Sequence, residues 1–205
     1  FMEGTEEAFR TAIAAHMKHG ATSFFPTLSS SPFSEIRKAV DICEKLMAEP
    51  DSPILGLHVE GPYLNRKMAG EQFANQVKEV DVAEYTSLLE STDCIKRWDA
   101  SPELPGALDF ARYLKSKGIV GAVSHTEAEY DGIKEAYEAG FTHAAHFYNA
   151  MPGFHKRREY KYEGTVESVY LTDGMTIELI ADGIHLPSTI LKLAYKLKGV
   201  EHTCL

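Results

Sequence analysis

Positive charge is scarce in this chain: 21 Lys and Arg stand against 30 Asp and Glu in 205 residues, a formal net charge of -9. A nucleic-acid surface needs clustered cations to meet phosphates, so a nucleic-acid partner is excluded as a class, and any anionic ligand must be met by a local cation. Cysteine is scarce too. Cys43, Cys94 and Cys204 form an odd set without close spacing, which supports neither a disulfide framework nor a Cys-type zinc site. Reduced, mostly buried thiols are expected. Long hydrophobic runs are missing as well: none approaches the roughly 18 residues that span a bilayer. The opening Phe1-Met2-Glu3-Gly4 lacks a basic, apolar-cored signal segment, so a soluble, cytoplasmic protein without a membrane partner is expected. What is present is ordinary: 44% hydrophobic and 25% charged residues exclude disordered and fibrous classes, and the length suits a single domain over 1–205.

Along the chain, strand-like and helix-like patterns alternate. Phe9, Ile13 and Met17 recur at four-residue intervals, the period of a packed helix that Gly20 stops. A β-rich run from Ala21 to Leu28 leads to a helix from Phe33 to Met47. The unit then repeats. Strands over Ile54 to Glu60, Ile95 to Ala100, Ile119 to His125, Phe141 to Tyr148 and Thr176 to Ala181 are followed by helices near 81–90, 108–117, 130–139, 165–171 and 187–198. The fifth strand and its helix are joined by a polar loop. Such alternation predicts a parallel sheet.

Six strands are expected, with a seventh beginning at His202-Thr-Cys-Leu205, where the chain stops without a turn. The front opens in the loop ahead of a helix. No Gly-rich phosphate loop follows any strand, which disfavours an open dinucleotide-binding sheet. The expected fold is therefore α/β: a (β/α)8 barrel of the TIM type, incomplete at about six strands plus a stub.

Ligand sites in such folds lie at the carboxyl ends of strands, and four strands end in polar residues: His58-Val-Glu60-Gly-Pro62, Ser124-His125-Thr126, His143-Ala-Ala-His146 and Asp182-Gly-Ile-His185. Each residue alone reads more readily as a hydrogen-bonded or surface group. Agreement across three strands points instead to Glu60, His125 and His146 converging on one divalent ion, since imidazole and carboxylate suit zinc or iron. A second ion is not excluded. Strand alternation sets His143 and His146 on opposite faces; Thr142 and Ala144, small, share the parity of His146, which favours His146 as the ligand and leaves His143 structural. His58 shares the face of Glu60, where it orients the ligands or packs as a layer residue.

Together, His58-Val-Glu60-Gly-Pro62-Tyr-Leu-Asn, Ser124-His125-Thr126, Thr142-His143-Ala-Ala-His146-Phe-Tyr-Asn149-Ala150-Met151 and Ala181-Asp182-Gly-Ile-His185 resemble the N-acetylglucosamine-6-phosphate deacetylases, metal-dependent hydrolase barrels of the amidohydrolase superfamily. The resemblance covers essentially the whole chain. It implies hydrolysis of N-acetylglucosamine 6-phosphate to acetate and glucosamine 6-phosphate. It implies Glu60, His125 and His146 as metal ligands, and Glu71, Gln72, Asn149, Ala150, Asp182 and His185 as substrate contacts, with Gln72 standing where some members have His. It implies a homodimer in which Arg157, or its neighbour Arg158, reaches the partner's substrate phosphate. It also implies truncation at both ends: the catalytic aspartate would follow Leu205, a His-x-His strand would precede Phe1, and a flanking β-sandwich is missing. No catalytic general base is then expected within the chain, which alone would be inactive. The alternatives are another cyclic amidase or deaminase of the superfamily, or a metal-free phosphosugar-binding barrel.

Overall fold

The computed structural model describes residues 1–205. Helix α1 (Glu6–Lys18) starts where the Thr5 side chain accepts the Ala8 N–H, with Glu6 and Glu7 at the positive end of the helix dipole. Strand β1 (Thr27–Leu28) is shorter than expected, continued upstream only by a bridge between Phe24 and Ile54. Pro26 is the reason: its carbonyl accepts the His58 N–H at 2.9 Å, but it has no N–H to give. Helix α2 (Phe33–Met47) buries Ile36, Ala39, Val40, Cys43 and Leu46, whose spacing of three and four puts them on one face.

The remaining elements are β2 (Leu57–Glu60), α3 (Val82–Leu89), β3 (Ile95–Ala100), α4 (Ala107–Ser116), β4 (Val120–Val123), α5 (Tyr130–Ala139), β5 (Phe141–Ala144), β6 (His155–Arg157), β7 (Tyr160–Tyr162), α6 (Thr165–Leu171), β8 (Thr176–Glu178), α7 (Ser188–Lys198) and β9 (Thr203–Cys204). Strands β1, β2, β3, β4, β5, β8 and β9 form one sheet in that order, with every neighbouring pair parallel. Because sheet order equals chain order, each helix returns the chain to the next position on the wall, as in a barrel being wound. The sheet curls. Thr27 from one edge and Thr203 and Cys204 from the other line a single cavity of about 750 Å³. The incomplete barrel expected from the alternation, six strands and a stub, is the fold observed.

The polar loop expected after β5 instead contains the antiparallel hairpin β6–β7. Arg158 turns it with a φ of 53°, and cross-strand stacking of His155 on Tyr162 and of the Arg157 guanidinium over the Tyr162 ring holds it.

The convex side of the sheet is apolar. Leu57, Val59, Trp98, Ala100, Val123, Ala144 and Ile177 join the helices in one cluster of 38 buried residues. The concave side is polar: Thr27, His58, Arg97, His143, Thr176 and Glu178 line the cavity, where barrel interiors are ordinarily filled by branched apolar side chains. Strand β5 corrects the expected orientation, for Ala144 packs in the cluster and His143 faces the cavity. His146 lines the same cavity, because the strand ends at Ala144 and a left-handed φ of 30° at His146 breaks the alternation.

Candidate metal centre

Glu60 is the last residue of β2, and His125 and His146 each lie two residues past the ends of β4 and β5. Chain geometry at these exits is unusual and each instance has a local cause. Gly61 adopts a φ of 88°, and a Cβ there would stand 2.4 Å from Ser30 Oγ, so only glycine can follow Glu60 in this turn. The Gly61 carbonyl accepts Trp98 Nε1–H at 2.8 Å. His125 has a φ of 46°, and its carbonyl accepts from the buried Ser101 hydroxyl at 2.7 Å. The His146 carbonyl accepts both the backbone N–H of Asn149 at 2.9 Å and its side-chain Nδ2 at 3.0 Å. Left-handed backbone at non-glycine residues is strained, and here it gathers at one place.

The result is a tight cluster: one donor atom from each of Glu60, His125 and His146 lies within 4.8 Å of the others. His125 Nδ1 stands 2.7 Å from the Met68 carbonyl, and His146 Nδ1 stands 3.2 Å from the Asn149 carbonyl. A carbonyl only accepts, so in each ring Nδ1 carries the proton and, in the neutral imidazole, Nε2 presents its lone pair. Both Nε2 atoms point at Glu60 Oε1, at 2.9 and 3.1 Å. Burial alone would raise the Glu60 carboxyl, but without a metal His125 and His146, when their rings are protonated and donate through Nε2–H, bring it down to about 2. For His146, burial works against the charged ring and Glu60 outweighs it, leaving the pKa raised. Two lone pairs and a carboxylate aimed at one another are what a divalent cation resolves, and imidazole hydrogen-bonded to carbonyl at the far nitrogen is the usual second partner of a ligating His. The donor set fits zinc or iron.

The other expected residues are distributed unevenly. Asn149 and Ala150 adjoin the cluster, and the Ala150 carbonyl accepts the Thr126 N–H at 3.2 Å, tying the β5 exit to the β4 exit. Gln72 Oε1 accepts the Ser30 N–H at 2.7 Å, and a Cβ on nearby Gly70 would lie 3.8 Å from His125 Cε1. Glu71, two residues short of exposed Phe73, faces solvent. Arg157 on the hairpin pairs with Glu129. Asp182 and His185 pair with each other at 2.7 Å in an exposed turn. Met68, Ser101 and the charged residues Arg97, Asp99 and Glu178 escaped the sequence reading. Arg97 and Asp99 had a signal, since they alternate on one face of a mostly buried strand.

No protein-family model matches the chain. It is 29% identical to the N-acetylglucosamine-6-phosphate deacetylase of Lysinibacillus sphaericus over 98% of its own length and 51% of the relative's. With the Bacillus subtilis enzyme of the same name it is 32% identical over 89% of the chain and 46% of the relative. An N-acetylgalactosamine-6-phosphate deacetylase of Escherichia coli O157:H7 is 30% identical over 86% of the chain and 46% of the relative. The crystal structure of the N-acetyl-D-glucosamine-6-phosphate deacetylase of Mycobacterium smegmatis superposes with a TM-score of 0.90 at 28% identity, over 100% of this chain and 53% of that one. A variant of that enzyme in complex with N-acetyl-D-glucosamine-6-phosphate superposes equally well, at 0.90. The chain spans about half the length of the curated relatives it matches. Over that half of their length, the chain is a homologue of the N-acetylglucosamine-6-phosphate deacetylases.

Proposed function

We propose that the protein hydrolyses the acetamide of N-acetylglucosamine 6-phosphate to acetate and glucosamine 6-phosphate, with one divalent ion held by Glu60, His125 and His146. The observation that carries this reading is the pair of imidazoles whose Nδ1 protons are tied to the Met68 and Asn149 carbonyls while both Nε2 atoms face Glu60. The chemistry supplied by an ion so held is Lewis acidity toward the acetyl carbonyl and acidification of a water. The chain's own residues hold the ion and bind the substrate. Glu60 stays ionised and offsets the cation. Gln72, whose Oε1 is engaged by the Ser30 N–H, has only amide N–H donors left to offer the acetyl oxygen. Asp182, His185, Glu71, Asn149 and Ala150 border the sugar. Arg157 sits in an exposed ion pair, which is worth little, so a phosphate dianion displaces Glu129 readily; a bidentate guanidinium suits it. In this reading the protein is a homodimer, that phosphate belongs to the partner subunit's substrate, and the protein works in the cytoplasm on a phosphorylated metabolite.

The test is acetate release by the full-length protein, purified without chelator. Acetate from N-acetylglucosamine 6-phosphate, lost in strong chelator and restored by zinc or iron, is the expected result. Metal-free protein that keeps its activity in chelator would overturn the reading. The relative acting on N-acetylgalactosamine 6-phosphate supports a second substrate, the C4 epimer; parallel assays rank the two.

A further inference from the structure

Beneath the metal centre the concave face carries an ionic network that no step above uses. Arg97 on β3 donates through Nε and Nη2 to the two oxygens of Asp99, at 2.9 and 3.1 Å, and through Nη1 to Glu178 Oε2 on β8. Strands β4 and β5 lie between β3 and β8, so the guanidinium spans the hollow of the curled sheet. It does so out of solvent, the Arg97 side chain being 11% exposed and that of Asp99 0%. Asp99 also stands 2.9 Å from His58 Nε2.

The far end of the network reaches a ligand. The other oxygen of Glu178, Oε1, accepts the backbone N–H of His146 at 3.3 Å, and the Glu178 carbonyl accepts the Phe147 N–H at 2.7 Å. That N–H belongs to the residue whose φ of 30° turns the imidazole toward Glu60. His143, Glu178 and Cys204 also bring donor atoms within 4.8 Å of one another. The Glu178 oxygen that faces His143 is already taken by Arg97, so this second cluster is an ion-pair network and not a cation site.

We infer that Arg97 is a positioning residue for the metal centre: its guanidinium holds the Glu178 side chain in place, and Glu178 in turn fixes the left-handed turn that presents His146 Nε2. The inference rests on the metal-binding reading of Glu60, His125 and His146. Zinc affinity of the metal-stripped full-length protein, read by competition with a chromophoric chelator, tests it alongside hydrogen exchange of the His146 amide. Arg97→Met should weaken zinc by about 10- to 100-fold, the usual effect of losing an outer partner of a ligand, and should speed exchange at His146. Glu178→Gln keeps an acceptor oxygen and should lose less. The double variant should be no worse than Arg97→Met alone, because the two residues act in series. Should Arg97→Met fail to fold, Arg97→Lys keeps the charge without the fork, and a several-fold loss of zinc affinity is expected. Wild-type affinity and His146 protection in Arg97→Met or Arg97→Lys, or additive losses in the double variant, would overturn the inference alone. A wild-type protein that takes up no zinc would sink it together with the metal reading.

Discussion

The proposed metal centre and the proposed substrate rim are held in opposite ways. At the centre the side-chain nitrogens are committed: His125 and His146 each bond a carbonyl at Nδ1 and face Glu60 at Nε2, and Trp98, Ser101 and Glu178 fix the backbone around them. At the rim, Arg157, Asp182 and His185 are exposed, Arg157 pairing with Glu129 and Asp182 with His185. An ion needs ligands placed before it arrives, because rearranging buried donors costs desolvation each time. A sugar phosphate needs a rim that can move aside and close. The difference teaches which substitutions should act through the fold and which through binding alone.

The largest effect should come from the ligands. Glu60→Gln, His125→Ala and His146→Ala should each lower metal affinity by more than the roughly 100-fold that an outer partner costs, with acetate release falling in step; metal analysis of dialysed protein checks this. His143→Ala should keep its metal although His143 faces the cavity, since its ring bonds Thr176 Oγ1 at 2.7 Å and not Glu60.

Next is the support under Gly61. Trp98 is fully buried, stacked on Tyr63 and edge-on to Phe110, so Trp98→Ala should cost about 3–5 kcal/mol by denaturant unfolding. It should also weaken the metal, because the Gly61 carbonyl loses its donor beside Glu60. A variant destabilised by that amount but binding metal as tightly as wild type would separate fold from centre more sharply than the account allows.

The rim should behave in reverse. Arg157→Ala removes an exposed pair and should change stability by less than about 0.5 kcal/mol, yet raise KM for the phosphorylated substrate. Mixed dimers of Arg157→Ala and Glu60→Gln subunits should regain part of the activity if each site borrows its neighbour's arginine. No recovery in verified mixed dimers would make Arg157 a local surface residue.

The last effect concerns acid. Glu60, held at about 2 against roughly 4.3 in an unfolded chain, adds stability to the metal-free protein that is fully present above the unfolded value and is lost as pH falls through the folded one. Metal-free Glu60→Gln should show a shallower decline between about pH 4 and 2 in thermal melts.

Much of this contrast was legible in the sequence, and the reason is periodicity. The strand-helix alternation from Ile54 onward predicted the parallel wall because buried strands and amphipathic helices write different periods into the chain. Glu60, His125 and His146 stood out because they fall at or just past the carboxyl ends of strands. Parity failed at β5, where a left-handed turn at His146 follows the strand and no alternation rule survives it. The hairpin at 155–162 was missed because its stability comes from Arg157, His155 and Tyr162 stacking across strands, contacts that depend on register rather than on composition. The carbonyls of Met68 and Asn149 were invisible for a simpler reason: any residue has one, and only the fold aims it.

The most direct test is X-ray absorption at the metal edge of the full-length protein. The account predicts one ion with a first shell of nitrogen and oxygen, at about 2.0–2.2 Å for zinc, including two imidazoles from His125 and His146. A sulfur neighbour near about 2.3 Å would place the ion at Cys204 beside His143 and Glu178 instead, and that result would contradict the assignment of Glu60, His125 and His146 as the metal centre.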